Sequence, residues 1–97
     1  MALAVRWTFE ASTQFGEILD YLEDNWAEKE IRNFFGKLDK GIITISTSPY
    51  LHKKSIRRKG TREYQVTSQV TIFYVVNDGI VVILLLWSNR MNPKNLL

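Results

Sequence analysis

The spacing of hydrophobic residues changes along this chain, from a helical period in its first half to a period of two after residue 61. Residues 3–7 alternate between apolar and other side chains, which predicts a short N-terminal strand. The next apolar residues recur at i, i+3, i+4, i+7 and i+11, the spacing of one helix face. They are Phe15, Ile18, Leu19, Leu22 and Trp26. Thr8 and Ser12 are the two candidates for the cap that starts this helix.

A second stripe with the same period predicts another helix after a break near Asn25. Its members are Ile31, Phe34, Phe35, Leu38, Ile42 and Ile45. Gly36 and Gly41 weaken this helix by ~1 kcal/mol each relative to alanine, and Pro49 marks its end. Because only a residue or two separates the helices, they are expected to form an antiparallel hairpin.

From Arg62 onward the pattern is that of strands. Residues 62–66 alternate, 70–76 form a second strand, and 80–87 are apolar at every position, as in a strand covered on both faces. The intervening Asn77-Asp78-Gly79 is a strong hairpin signal. Ile56 is the one residue of the preceding segment expected to point inward. The chain is therefore predicted to be a single α+β domain over residues 1–97, with an N-terminal strand, an antiparallel helix hairpin and a three- to four-stranded antiparallel meander.

The amino-acid composition limits which disulfides, metal sites and membrane spans are expected. The 97 residues include no cysteine and one histidine, His52, so disulfides are excluded and a metal site or other cofactor is not expected. The longest apolar run has eight residues, Ile80–Trp87, far short of a membrane span. The N-terminal stretch lacks the pattern of a signal peptide. A cytoplasmic protein without a membrane partner is the expectation.

Charge is sorted by position. Residues 1–51 carry five basic and eight acidic side chains, whereas residues 52–97 carry eight basic and two acidic ones. The basic side chains of the second half are Lys53, Lys54, Arg57, Arg58, Lys59, Arg62, Arg90 and Lys94. We predict that they bind a polyanion or an acidic partner protein. The alternative is a solvated loop that keeps a small protein soluble.

The order of these elements and several short motifs resemble the RelE/ParE superfamily, the toxins of bacterial type II toxin–antitoxin modules. The resemblance is carried by Tyr21 and Trp26 in the first helix, Ser48-Pro49 after the second, and three segments of the sheet. These segments are Gly60-Thr61-Arg62-Glu63-Tyr64-Gln65-Val66, Ile72-Phe73-Tyr74-Val75-Val76 and Trp87-Ser88-Asn89-Arg90-Met91-Asn92-Pro93.

Membership would imply one of two targets. RelE-like toxins cleave mRNA in the ribosomal A site, whereas ParE-like toxins inhibit DNA gyrase and are not nucleases. Both kinds are silenced by a cognate antitoxin whose C-terminal segment wraps the toxin. A homodimer and a toxin–antitoxin hetero-oligomer are both open at this point.

Matching the RelE-like catalytic residues to this chain gives a mixed result. Arg90 matches the arginine that follows the last strand, and Arg62 and Arg58 lie near the cationic strands. Thr71 stands where RelE-like enzymes place a central-strand arginine, and residues 91–97 contain neither the tyrosine nor the histidine expected in the tail. Arg90 and Arg62 would be catalytic only in a ribonuclease. The pattern favours a ParE-like gyrase inhibitor over a ribosome-dependent mRNA endonuclease, with an inactive or non-toxic binding module as the third alternative.

Overall fold

A computed structural model describes residues 2–89 and places two helices against one face of a four-stranded sheet. In chain order the elements are β1 (Ala4–Trp7), α1 (Phe9–Asn25), α2 (Glu28–Thr47), β2 (Arg62–Gln65), β3 (Val70–Asn77) and β4 (Ile80–Ser88). The predicted α+β fold, with its N-terminal strand, two helices and antiparallel strands, is confirmed. Within the described residues, no helix has the length and apolar character needed to cross a membrane.

The sheet has the strand order β1-β4-β3-β2. The pairs β2–β3 and β3–β4 are antiparallel neighbours, as the meander prediction required, while β1 lies parallel to β4 at the far edge. A parallel pair needs a long crossover, and the helix hairpin belongs to that crossover. The turn between β3 and β4 places Asp78 and Gly79 at φ 52° and 74°, which matches a type I′ hairpin turn.

Helix α1 is joined to β4 at its first residues. Thr8 is the helix cap: its hydroxyl oxygen accepts a hydrogen bond from the Ala11 amide at 3.0 Å and its proton is donated to the Leu84 carbonyl at 3.0 Å. The other end differs from the sequence pattern. The helix stops at Asn25, and Trp26, the last member of the apolar stripe, is 37% exposed.

The main core lies between the helix hairpin and the sheet. Its buried members include Ile18, Leu22, Phe34, Leu38 and Ile45 from the helices and Ile72, Tyr74, Val81, Ile83 and Leu86 from the strands. A second, smaller cluster lies on the opposite face of the sheet and contains Phe73, Leu85 and Trp87. Because adjacent strand residues point to opposite faces, Leu85 and Leu86 belong to different clusters. The end of β4 is therefore buried on both faces, whereas Val82 and Leu84 are only half-buried.

The strand β4 contains one extra residue relative to β3. Phe73 pairs with Leu85 and Tyr74 pairs with Ile83, so Leu84 has no partner on β3. Beyond Ile83 the other edge of β4 has no neighbouring strand, because β1 ends at Trp7. Helix α1 takes its place: Thr8 bonds the Leu84 carbonyl, and the Gln14 side-chain oxygen accepts from the Leu86 amide at 2.9 Å. The helix thereby completes a strand edge that would otherwise be buried without hydrogen bonds.

The two glycines of α2 have different roles. A Cβ atom on Gly41 would lie 2.7 Å from Cε1 of Tyr64, whereas a Cβ on Gly36 would meet no atom within 4 Å. The lack of a side chain at Gly41 therefore allows α2 to pack closely on β2. The sequence pattern showed only the cost of both glycines to the helix.

Substituting each glycine by alanine is expected to change stability in opposite directions. Gly36→Ala should raise the free energy of unfolding by about 1 kcal/mol through helix propensity alone. Gly41→Ala should lower it by about 1–2 kcal/mol, because the Tyr64 ring must move and the cost of overpacking exceeds the gain in propensity. Urea unfolding of the two variants tests this, and an equal gain in both would show that the ring moves aside freely.

Candidate partner-binding site

Six of the eight cations predicted to bind a partner lie on or next to a loop, residues 50–61, that we call the basic connector. They are Lys53, Lys54, Arg57, Arg58, Lys59 and Arg62. It joins α2 to β2 and is held against the start of β2 by backbone hydrogen bonds. The Ser55 amide donates to the Thr61 carbonyl at 2.8 Å, and the Glu63 amide donates to the Lys53 carbonyl at 3.0 Å. The expectation that Ile56 points inward is wrong, since Ile56 is 97% exposed. Its neighbour Ser55 is the buried residue of this turn.

The basic connector is anchored by one buried carboxylate. Glu63 is 5% exposed and accepts a hydrogen bond from the Ser55 hydroxyl. The Arg57 guanidinium binds it with two nitrogens, Nη2 at 2.9 Å from Oε1 and Nε at 3.4 Å from Oε2, and Lys53 Nζ lies 3.8 Å from Oε1. Burial by itself raises the pKa of Glu63, but the hydrogen bonds from Arg57 and Ser55 and the nearby positive charges outweigh it and hold the pKa below its ordinary value.

Arg57 also covers the smaller hydrophobic cluster. Its guanidinium carbon lies 5.5 Å from the centre of the Phe73 ring and 5.6 Å from that of Trp87, within the range of cation–π attraction. The face of the sheet opposite the helices is thus partly closed by an arginine whose charge is matched by Glu63.

Arg62 lies in a different environment. It shares with Tyr74 the face of the sheet that meets the helices, and its Nη1 donates to the carbonyls of His52 at 2.8 Å and Tyr50 at 3.3 Å. The guanidinium carbon lies 5.5 Å from the centre of the Tyr50 ring. Among residues 2–89 no carboxylate forms an ion pair with Arg62. Its position is therefore fixed while its charge is left uncompensated.

The predicted binding residues therefore lie in different environments in the structure. Arg57 and Lys53 surround Glu63, whereas Lys54 and Arg62 line a separate cavity of about 460 Å³. Lys59 is exposed, and the Arg58 amide donates to the Ser55 hydroxyl oxygen. Arg90 and Lys94 lie outside the described residues. A binding role for the set stays a prediction.

Two aromatic side chains near this cavity, Tyr74 and His52, contact the core or the start of the basic connector. Tyr74 is fully buried, its hydroxyl donates to the Pro49 carbonyl at 2.6 Å, and burial raises its pKa to about 12. The His52 ring packs edge-on against Tyr64 with centroids 5.0 Å apart. These contacts fix the first residues of the basic connector against the core.

Sequence reasoning missed Glu63 as the organising residue of the loop. One signal was available: it is the only acidic residue between Asp39 and Asp78, and it directly follows the densest run of positive charge. Its burial follows from contacts between the basic connector and the start of β2, which the local pattern does not report. Within residues 2–89, no three metal-binding side chains are grouped as a metal site would require.

The sequence of this chain matches the model of a known family. The family model for the ParE toxin of the type II toxin–antitoxin system parDE matches residues 5–93. The match spans most of the sequence, so the chain belongs to the ParE toxin family, within the RelE/ParE superfamily of toxins. No curated protein sequence matched the chain.

Solved structures show the same fold at low sequence identity. A chain from the chromosomal ParDE toxin–antitoxin system of Pseudomonas aeruginosa superposes with a TM-score of 0.73 at 12% identity, over 90% of this chain and 96% of that one. A chain from the RelBE2 toxin–antitoxin complex of Mycobacterium tuberculosis gives 0.60 at 21% identity, over 91% and 99%. A mutant toxin from Helicobacter pylori, solved with copper bound, gives 0.63 at 18% identity, over 89% and 93%.

Proposed function

We propose that this protein is the growth-arresting toxin of a type II toxin–antitoxin module, that it acts by binding DNA gyrase, and that a cognate antitoxin neutralises it. The family model supports the toxin assignment. The choice of gyrase rests on the chemistry of the sheet face that carries Phe73 and Trp87.

The observation that carries this choice is that apolar contacts and a neutralised arginine occupy that face. Thr71, at the position of the RelE-like central arginine, pairs with Trp87 and is 8% exposed. Phe73 and Leu85 beside it are fully buried, and the Arg57 charge is bound to Glu63.

Metal-free RNA cleavage needs a base, an acid and cations that are free to stabilise the charged transition state. A cation committed to a buried carboxylate is poorly suited to that task. Inhibition by binding requires neither proton transfer nor a free cation on this face, so it is consistent with a face whose aromatic residues are buried and whose arginine is neutralised.

We also propose the partners and the setting. A chain of the RelBE2 toxin–antitoxin complex is among the similar structures, and a cognate antitoxin is the corresponding partner here. The basic connector and the adjoining first residue of β2 form the proposed contact surface for partners. Its cations are Lys53, Lys54, Arg57, Arg58, Lys59 and Arg62. We assign residues 1–97 to one toxin domain acting in the cytoplasm, where gyrase and its DNA are found.

The proposal is tested by adding the purified protein to a gyrase supercoiling reaction. We expect inhibition that rises with protein concentration, and heat-unfolded protein as the control should have no effect. Primer extension on mRNA from cells expressing the chain should show no new cleavage sites. Codon-phased mRNA cuts together with unaffected supercoiling would instead identify a ribonuclease and overturn the choice of gyrase.

A further inference from the structure

The cavity beside Arg62 is lined by two positively charged side chains that have no carboxylate partner among residues 2–89. Lys54 and Arg62 are directly opposite in an isolated antiparallel bridge, and both line the cavity of about 460 Å³. Like charges directly opposite each other in a sheet are destabilising. Among residues 2–89 neither side chain forms an ion pair with a carboxylate, so an anion bound between them would relieve the repulsion.

The rest of the cavity is not suited to a small, fully solvated anion. Its lining includes the Tyr50 ring, which is 66% exposed, together with Val75 and Val76 of β3. An apolar surface beside two cations complements a carboxylate carried by a side chain with apolar neighbours. A bare phosphate would leave this apolar surface in contact with water.

The same cavity adjoins an open strand edge. Pairing of β2 with β3 begins at Arg62 and Tyr74, so the last three residues of β3 have no strand on that side. Asn77 and Ile80 flank the two-residue turn and pair with each other. Hydrogen-bonding direction alternates along a strand, so the amide and carbonyl of Val76 point away from β4 toward the open side.

The connector does not fill this edge. Gly60 adopts φ 82°, and the Thr61 carbonyl is bonded to Ser55 instead of to β3. An unpaired edge of this kind accepts an extended peptide by strand addition. A nucleic acid offers no equivalent row of amides and carbonyls.

We propose that this cavity binds an extended acidic segment of a partner protein, with a carboxylate between Lys54 and Arg62 and backbone hydrogen bonds to Val76. Arg57 does not line this cavity, and its guanidinium is already bound to Glu63. The inference rests on the proposed function only in so far as the segment belongs to the antitoxin, and it does not require gyrase to be the target.

The test uses the full chain and a short peptide of alternating glutamate and valine, blocked at both ends. We expect fluorescence anisotropy to show binding, and a matched peptide of glutamine and valine to bind at least about tenfold more weakly, since a hydrogen bond to a charged group contributes about that factor. Lys54→Gln and Arg62→Gln should each weaken binding about tenfold. Lys40→Gln, which removes the same charge from α2, should leave it within about twofold.

Hydrogen exchange supplies a second measurement that does not depend on the variants. The acidic peptide should slow exchange of the Val76 amide and leave the Val75 amide, which points toward β4, unchanged. Equal loss of binding in Lys40→Gln, or no change at Val76, would overturn the site. Tighter binding of oligothymidylate through the same two residues would show that it recognises phosphate. The titrations contain no gyrase. If the peptide does not bind, the proposal that the protein inhibits gyrase is still tested separately by the supercoiling reaction.

Discussion

Replacing Arg57 with methionine is expected to lower the free energy of unfolding by about 2 kcal/mol at neutral pH. The substitution keeps an apolar chain against Phe73 and Trp87 but leaves the Glu63 carboxylate buried without its two-nitrogen partner. Removing one member of a buried ion pair costs about 3–5 kcal/mol. We expect less, because the Arg57 side chain is 42% exposed and solvent already screens the pair.

The loss of stability in Arg57→Met is expected to depend on pH. The pKa of Glu63 is lowered from 4.5 in the folded protein, so its ionised form stabilises the fold above that value. This contribution is lost as the pH falls below 4.5 through the folded pKa. The difference in stability between the native protein and Arg57→Met should therefore be largest near pH 7 and shrink in acid.

Urea unfolding between pH 3 and pH 7 provides the measurement, and Arg58→Met is the matched control. Arg58 is adjacent in sequence and is linked to Ser55 and Thr61 through its backbone alone, so its loss should change stability by less than about 0.5 kcal/mol. If Arg57→Met is less stable than the native protein by the same amount at every pH in this range, its lower stability comes from lost packing and not from the Glu63 carboxylate.

Replacing Gln14 with methionine is expected to lower the free energy of unfolding by about 2 kcal/mol. Gln14 is 8% exposed and its side-chain oxygen is the acceptor for the fully buried Leu86 amide. Methionine is similar in length but provides no comparable acceptor. A buried donor left unpaired costs about 1–3 kcal/mol.

Thermal or urea unfolding measures the loss of stability. Hydrogen exchange at the Leu86 amide shows whether this loss comes from the missing acceptor. Gln65→Met makes the same chemical change at an exposed position of β2 and should stay within about 0.5 kcal/mol of the native protein. If both variants are equally stable, the edge of β4 beyond Ile83 does not depend on α1 for its hydrogen bonds.

These two predictions concern polar residues that the apolar pattern did not assign to the core. Gln14 lies one helical turn before Ile18, on the buried face of α1, and Glu63 occupies a polar position of an alternating strand. Both are buried because of their partners: an unpaired amide of β4 for Gln14, and Ser55 and Arg57 for Glu63. Local periodicity reports which positions are apolar, and it contains no information on which polar group will meet which in the fold.

The cations of the basic connector and Arg62 show the same difference between what the sequence reports and what the fold decides. The run of cations from Lys53 to Arg62 is plain in the sequence, but their grouping is not. Arg57 and Arg62 are five positions apart, and the turn at Gly60 separates them so that one is matched by Glu63 and the other lines a cavity with Lys54. The directions of the side chains depend on where the connector turns and on the register of β2.

The sequence by itself determined the element order, the antiparallel meander and the helix hairpin, because each follows from the spacing of apolar residues over a few turns or strand lengths. It also determined the turn at Asp78-Gly79, where local conformational preference suffices. The tertiary structure alone decided that β1 lies beside β4, that Gly41 receives the Tyr64 ring, and that the cations fall into two groups. The first two features arise from contacts between residues distant in the chain, which form only once the helices have packed on the sheet. The third depends on how the basic connector turns against β2, and the spacing of apolar residues contains no information on that contact.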